Sequence, residues 1–221
     1  MVEPVDAIRA FHNALRIDLN RIDAAAFEAA KGKDGLAPII ERFRFFNEIL
    51  VWHAAGEEVG IFPAVENVAP LVAEPYVKDH NGLDMAFDEL NNSYASRDPL
   101  KTARATAVFR FHLDIHLYKE DTHLYRIFRE RISLPEQWKA LGILASKVPP
   151  ERFHEVVAWL YPLIGHDDRE NMTRIWQSVM PDPAFADIKE IIKATIGTDW
   201  AELTRRIPAL SSHNARKKNF L

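Results

Sequence analysis

Apolar residues recur at helical spacing through most of the chain. Ile8, Leu15, Leu19 and Ile22 form one stripe, in a segment that starts near Pro4 and ends at the turn Lys31-Gly32-Lys33-Asp34-Gly35. A second helix begins around Pro38, carries Phe46, Ile49, Leu50 and Ile61, and breaks between Pro63 and Pro70. A third follows Pro70 or Pro75, with Val77, Leu83, Phe87 and Leu90 on one side, and stops at Ser96-Arg97-Asp98. Asp98-Pro99 supplies a cap and a first-turn proline for a fourth, which runs to about Ile132. Four helices of about 25 residues joined by short turns predict an all-α chain built as an antiparallel up-down four-helix bundle.

The last third changes character. Ser133-Leu134-Pro135-Glu136 reads as a capping box, Pro149-Pro150 starts a short helix through Trp159, Gly165-His166-Asp167-Asp168 opens a third, and Pro181-Asp182-Pro183 precedes a fourth ending near Gly197. The expected organisation is a bundle over residues 1–132 and an extension of shorter helices over 133–221. No Gly/Ser/Pro-rich linker separates the two, so the extension is expected to pack on the bundle as a cover rather than stand as a second subdomain. The tail from Arg216 to Leu221 is expected to fray.

Composition narrows the chemistry. At 48% hydrophobic and 27% charged residues the chain has the means for a sizeable core. Cysteine is absent, which excludes disulfides, thiolate zinc sites, iron–sulfur clusters and cysteine nucleophiles, so any metal must be held by nitrogen and oxygen. A net charge of −4 gives no reason to expect a nucleic-acid partner. No segment approaches the roughly 18 consecutive apolar residues that span a bilayer, and Met1-Val2-Glu3-Pro4 lacks a basic region followed by an apolar one. No membrane association is therefore expected, and a cytoplasmic location is.

The unusual count is histidine, nine in all. In the fourth helix Phe109, His112, His116, Glu120, His123 and Ile127 follow one another at intervals of three or four, on a face that begins and ends apolar. Ionisable groups in such a stripe would each cost several kcal/mol if left unpaired, so something must satisfy them. The second helix repeats the theme with Phe46, Leu50, His53 and Glu57. His12 lies between Ile8 and Leu15, and His80 between Val77 and Leu83.

A depth argument brings these residues together. In an antiparallel hairpin two residues are level when the turn falls midway between them. The midpoint of His12 and His53 falls at the Gly32 turn, that of His53 and His80 between Pro63 and Pro70, and that of His80 and His116 at Asp98. One cluster at mid-bundle follows: His12, His53, Glu57, His80, His116 and Glu120. Each half of the chain supplies a histidine and then a His-x-x-x-Glu, a set that suits two adjacent divalent or trivalent ions with the glutamates available to bridge them. Iron fits such donors, as do zinc and manganese.

These residues resemble the haemerythrin-like HHE cation-binding domains. The motifs that carry the resemblance are His53-Ala-Ala-Gly-Glu57-Glu58-Val-Gly-Ile61-Phe62-Pro63 and His116-Leu-Tyr-Lys-Glu120-Asp121-Thr-His-Leu124-Tyr125, with His12 and His80 heading each hairpin, over roughly residues 1 to 130. The resemblance implies a non-haem di-iron centre with an oxo or hydroxo bridge and an open position. The family's activities range from reversible oxygen binding to sensing or handling of oxygen, iron, peroxide or nitric oxide. Oxygen carriers of the family place a second histidine one turn after the third-helix ligand, where this chain has Asp84, and space their fourth-helix ligands one residue wider than His116 and Glu120. The pattern is therefore similar to relatives such as the iron-sensing ubiquitin ligase subunits.

The expected function is a di-iron protein that binds or reacts with oxygen, peroxide or nitric oxide, as a sensor or protective protein, with weak peroxidase or oxidase activity left open. His12, His53 and Glu57 are expected on one iron, and His80, His116 and Glu120 on the other. The alternative is a non-catalytic sensor or interaction module whose metal stabilises the fold and whose C-terminal helices bind a protein partner. His112, His123, Asp84 and Tyr76 are candidates for additional ligands or for groups beside the ligands. His154, His166 and His213 read as surface or capping residues. A ferritin-like plan based on Glu120-x-x-His123 and Glu151-x-x-His154 leaves His12, His53, His80 and His116 without a role.

Overall fold

The computed structural model describes residues 2–32 and 35–211; Lys33 and Asp34 of the first turn, His213 and the tail from Arg216 lie outside the described residues. Helix α1 (Pro4–Ala30) opens on a reciprocal cap between Glu3 and Asp6. It is followed by α2 (Ala37–Gly56), α3 (Phe62–Val68), α4 (Glu74–Ser96), α5 (Pro99–Lys119) and α6 (Tyr125–Arg131). Arg97, at φ 53°, turns the chain out of α4, and Asp98 caps α5 by accepting from the N–H groups of Leu100 and Lys101 at 3.0 and 3.1 Å. No strand occurs among the described residues.

Six helices make four rods, because α2 runs into α3 and α5 into α6 through π-helical turns, Glu57–Ile61 and Glu120–Leu124. The Phe62 N–H bonds to the Glu57 carbonyl and the Tyr125 N–H to the Glu120 carbonyl, each five residues back. Pro63 stands in the first turn after the π segment, so the rod passes a residue that would kink an unmodified helix. The second rod therefore ends at Val68 and the fourth at Arg131, the antiparallel four-helix bundle read from the sequence.

Two apolar layers sandwich the middle of the bundle. On one side Leu15, Leu19, Phe43, Phe46, Leu90 and Phe109 interdigitate; on the other, Ile8, Ile61, Val65, Leu124, Tyr125 and Phe128. The histidine stripe lies between them.

The later helices are α7 (Leu134–Ala145), α8 (Phe153–Leu160), α9 (His166–Val179), α10 (Asp182–Ile196) and α11 (Trp200–Arg206). Ser133 and Glu136 form the expected capping box, whereas α11, beyond the turn at Gly197, was not foreseen. Their core includes Val157, Leu160, Met172, Ile188 and Ile192, and it continues onto Ala7, Ala10 and Ala14 of α1, whose small side chains admit α9. Buried Asp18 ties three helices together, accepting from Arg42 of α2 and, at 2.7 Å, from the Trp159 indole of α8. Helix α7 lies against Gly56 and Gly60; a Cβ on either would come within 2.8 Å of α7 atoms. Among the described residues no helix is long and apolar enough to cross a membrane.

Candidate metal centre

All six residues of the expected cluster are buried at one level: His12 on α1, His53 on α2, Glu57 opening the first π turn, His80 on α4, His116 on α5 and Glu120 opening the second π turn. Imidazole Nε2 atoms face inward. His12 Nε2 lies 3.0 Å from His53 Nε2, His53 Nε2 3.2 Å from Glu57 Oε1, His80 Nε2 3.5 Å from Glu57 Oε2, and His116 Nε2 3.3 Å from Glu120 Oε1. His12 Nε2 is also 3.8 Å from Glu57 and 3.7 Å from Glu120.

The atoms that could hold a metal ion fall into two overlapping groups, His12, His53, Glu57 and Glu120, and Glu57, His80, His116 and Glu120, each with its atoms within 4.8 Å of one another. Both glutamates belong to both groups, so the one-carboxylate-per-half division expected from the sequence becomes two shared carboxylates at the midline.

The next residue in each motif holds the opposite hairpin's histidine. Asp121, directly after Glu120, receives the Nδ1 of His12 at 2.8 Å and is backed by Arg16 at 2.5 Å. Glu58, directly after Glu57, receives the Nδ1 of His80 at 2.8 Å. Sequence reasoning missed both, although an acidic residue following each ligand glutamate was a visible signal. Such partners orient an imidazole and fix which nitrogen faces a metal.

A third missed residue is Tyr125. In an α-helix it would stand about 140° round from Glu120, but the π turn swings it back over the cluster. Its hydroxyl donates to Glu57, and its ring lies edge-on to His12 at 5.6 Å.

The neighbouring candidates lie elsewhere. His112 is exposed beside Phe111, about 90° round α5 from the centre of its buried stripe at 100° per residue. His123 is exposed too, its Nδ1 2.9 Å from the Tyr76 hydroxyl. Buried Tyr76 is thereby engaged outside the cluster, with the Lys119 carbonyl as a second partner at 3.2 Å, so the tyrosine at the cluster is Tyr125. Burial, with the Glu120 charge adding, pushes the Tyr76 phenol up to about 12. Asp84 is exposed but lines a cavity of about 190 Å³ between α2 and α4, shared by Asn47, Val51, His53, His80 and His116, that reaches Glu57. His154 and His166 are exposed on α8 and α9.

Electrostatics shows what the site favours. Burial works against charge on Glu57, but the His53 imidazole, with those of His12 and His80 close by, outweighs it and holds its carboxyl well below the usual range. Glu120 goes the opposite way: burial, then the charge of Glu57, push its carboxyl well above that range. Burial lowers His53, and lowers His116 to about 4. In His12 and His80 burial is outweighed by Asp121 with Glu57, and by Glu57 with Glu58, and both rise.

Two buried carboxylates cannot both ionise without a counter-charge. Glu57 Oε2, both Glu120 oxygens and His80 Nε2 are buried with no hydrogen-bond partner. Cations among these atoms would satisfy all of them, and nitrogen and oxygen donors of this kind suit iron, zinc or manganese. The donor set fits.

Comparison with known proteins agrees with the geometry. The sequence profile described as hemerythrin HHE cation binding domain matches residues 3–128. The chain belongs to the hemerythrin HHE cation-binding family. Among curated proteins it is similar to Zinc finger protein BRUTUS of Arabidopsis thaliana, 26% identical over 187 residues that cover 81% of this chain and 15% of that one. A BRUTUS-like zinc finger protein of the same plant is 23% identical over 213 residues, covering 84% of this chain and 17% of the relative. The chain thus spans a small fraction of these relatives' length. Since the family match stops at residue 128, similarity over 84% of the chain must run on into the helices that follow the bundle. No solved structure matches the chain.

Proposed function

We propose that this hemerythrin-family chain is a di-iron protein whose centre meets oxygen, peroxide or nitric oxide, in a sensing or protective role. The observation that carries the reading is the pair of overlapping ligand groups sharing Glu57 and Glu120: two carboxylates between two histidine pairs are the donors for two adjacent cations. His12 and His53 would hold one ion, His80 and His116 the other, and the glutamates both.

Iron in such a site would supply one-electron chemistry toward a small ligand. The protein's own part is positional. Asp121 and Glu58 hold His12 and His80 with Nε2 inward, Tyr125 fixes one oxygen of Glu57, and the apolar layers on either side keep bulk water out. The small cavity beside Asp84 supports access for a diatomic molecule or peroxide from the α2–α4 side, since it touches ligands of both halves.

A second reading is favoured by the small share of its relatives' length that the chain covers: a metal-stabilised sensor module whose C-terminal helices meet a protein partner. Anaerobic purification after iron-replete expression tests the first reading, with about two irons per chain expected. A single tight zinc and no iron would overturn it. If the reduced, iron-loaded protein leaves oxygen and peroxide unchanged over many equivalents, the sensor-module reading takes its place. Removal of metal is expected to lower the melting temperature, because it leaves two carboxylates facing each other in the core.

A further inference from the structure

A second cavity, of about 350 Å³, lies between the bundle and helices α7–α9. Its wall is apolar and sets the rings of Phe11, Trp52, Trp138, Phe153 and Trp176 among aliphatic side chains and Met172. No acidic residue, lysine or arginine lines it. The outer end is framed by exposed Gly142 and Ala145 of α7 and exposed Val179 of α9; the inner end reaches His53, on which Phe11 is stacked at 5.2 Å.

Protein interiors are close-packed, and a void of this size forfeits the dispersion contacts of every side chain around it. Dry apolar cavities of about 150 Å³ take up benzene, and small-molecule pockets begin near 300 Å³. The wall offers no charge to neutralise an ionised ligand, while indole and phenyl rings favour stacked or edge-on contact with another aromatic ring.

We propose that this cavity is a binding pocket for a neutral, apolar aromatic molecule of about two-ring size, admitted between α7 and α9 and seated against the Phe11–His53 stack. It is separate from the small cavity beside Asp84 and does not depend on which metal the cluster holds. Its occupant would nevertheless touch the back of one histidine of that cluster.

The test is titration of the full chain with N-phenyl-1-naphthylamine, a neutral fluorophore whose emission brightens and moves to the blue in apolar surroundings. Saturable one-to-one binding with quenching of tryptophan emission is expected. Gly142 lines the cavity's outer end and a Cβ there meets nothing within 4 Å, so Gly142→Leu adds a side chain at the entrance without displacing backbone. That variant is expected to weaken binding about tenfold or more while keeping or raising the melting temperature. Ala145→Leu, at the mouth, gives an independent check. Phe111→Ser, on an exposed apolar stripe of α5, is expected to bind as the parent does. Binding that fails to saturate, that survives both entrance changes, or that disappears in Phe111→Ser would overturn the proposal. So would a concentration-dependent dimer abolished by Gly142→Leu, which would make the pocket a seat for a second copy.

Discussion

Tyr125 and Phe62 occupy equivalent places, each five residues after a buried glutamate of the cluster at the end of a π turn, and only Tyr125 carries a hydroxyl. Phe62 lies 5.3 Å from the His80 ring as Tyr125 lies 5.6 Å from that of His12, so the two halves match in spacing. They differ in chemistry, because the Tyr125 hydroxyl crosses to Glu57 and nothing from Phe62 reaches Glu120 in return. Tyr125→Phe removes a buried hydrogen bond to a carboxylate and is expected to destabilise the metal-free protein by roughly 1–3 kcal/mol in urea, with metal content unchanged. Unaltered stability would mean that Glu57 finds its partner elsewhere.

His116→Ala takes away an inward-facing Nε2 and is expected to abolish or halve metal loading. His112→Ala and His123→Ala, both on the exposed side of the rod, should load as the parent does. Asp121→Asn is expected between these limits, with metal affinity reduced about 10- to 100-fold, because His12 loses the carboxylate that orients it. Metal per chain and a competition titration with a chelator separate the three classes. Loss of metal in His123→Ala with retention in His116→Ala would point to the ferritin-like plan.

Metal uptake should release protons. A metal takes the deprotonated ligand, and Glu120, His12 and His80 all have raised values and hold protons to higher pH than usual. Affinity is therefore expected to rise with pH and to be lost as pH falls through those raised values. His116, near 4, is already neutral at pH 7 and releases nothing there; its own contribution to stability is present above 6.5 and lost as pH falls towards 4. Calorimetry in two buffers of different ionisation heat measures the protons released, and a count of zero would contradict the charge balance described for the cluster.

Gly60→Ala is expected to destabilise the chain by about 1–3 kcal/mol, since its Cβ would come within 2.8 Å of the Ala140 carbonyl oxygen and push α7 away. Gly82→Ala, in the interior of α4 with open space around it, should instead stabilise by about 0.5–1 kcal/mol. Urea denaturation of the two variants checks both signs. Equal effects would show that α7 does not depend on the glycine face.

Local and repeating features were legible in the sequence alone. Helical periodicity and the caps at Asp98 and Ser133 depend on residues a few positions apart, and the level of the four histidines follows from turn positions in an antiparallel bundle. That was enough to bring His12, His53, Glu57, His80, His116 and Glu120 together.

What only the tertiary structure decided involves rotation about a helix axis or contact across it. Intervals of three and four residues put His112 and His123 on the same nominal face as His116, but the stripe drifts, and the buried arc, set by where α1 and α4 lie against α5, leaves both outside. The π turns insert a rotation that an ideal helical period does not contain, and that rotation carries Tyr125 to Glu57. Asp121 and Glu58 each meet a histidine of the other hairpin, and α7 meets Gly56 and Gly60. Such pairings join residues far apart in the chain, where no periodicity links the partners, so they exist only once the helices have packed.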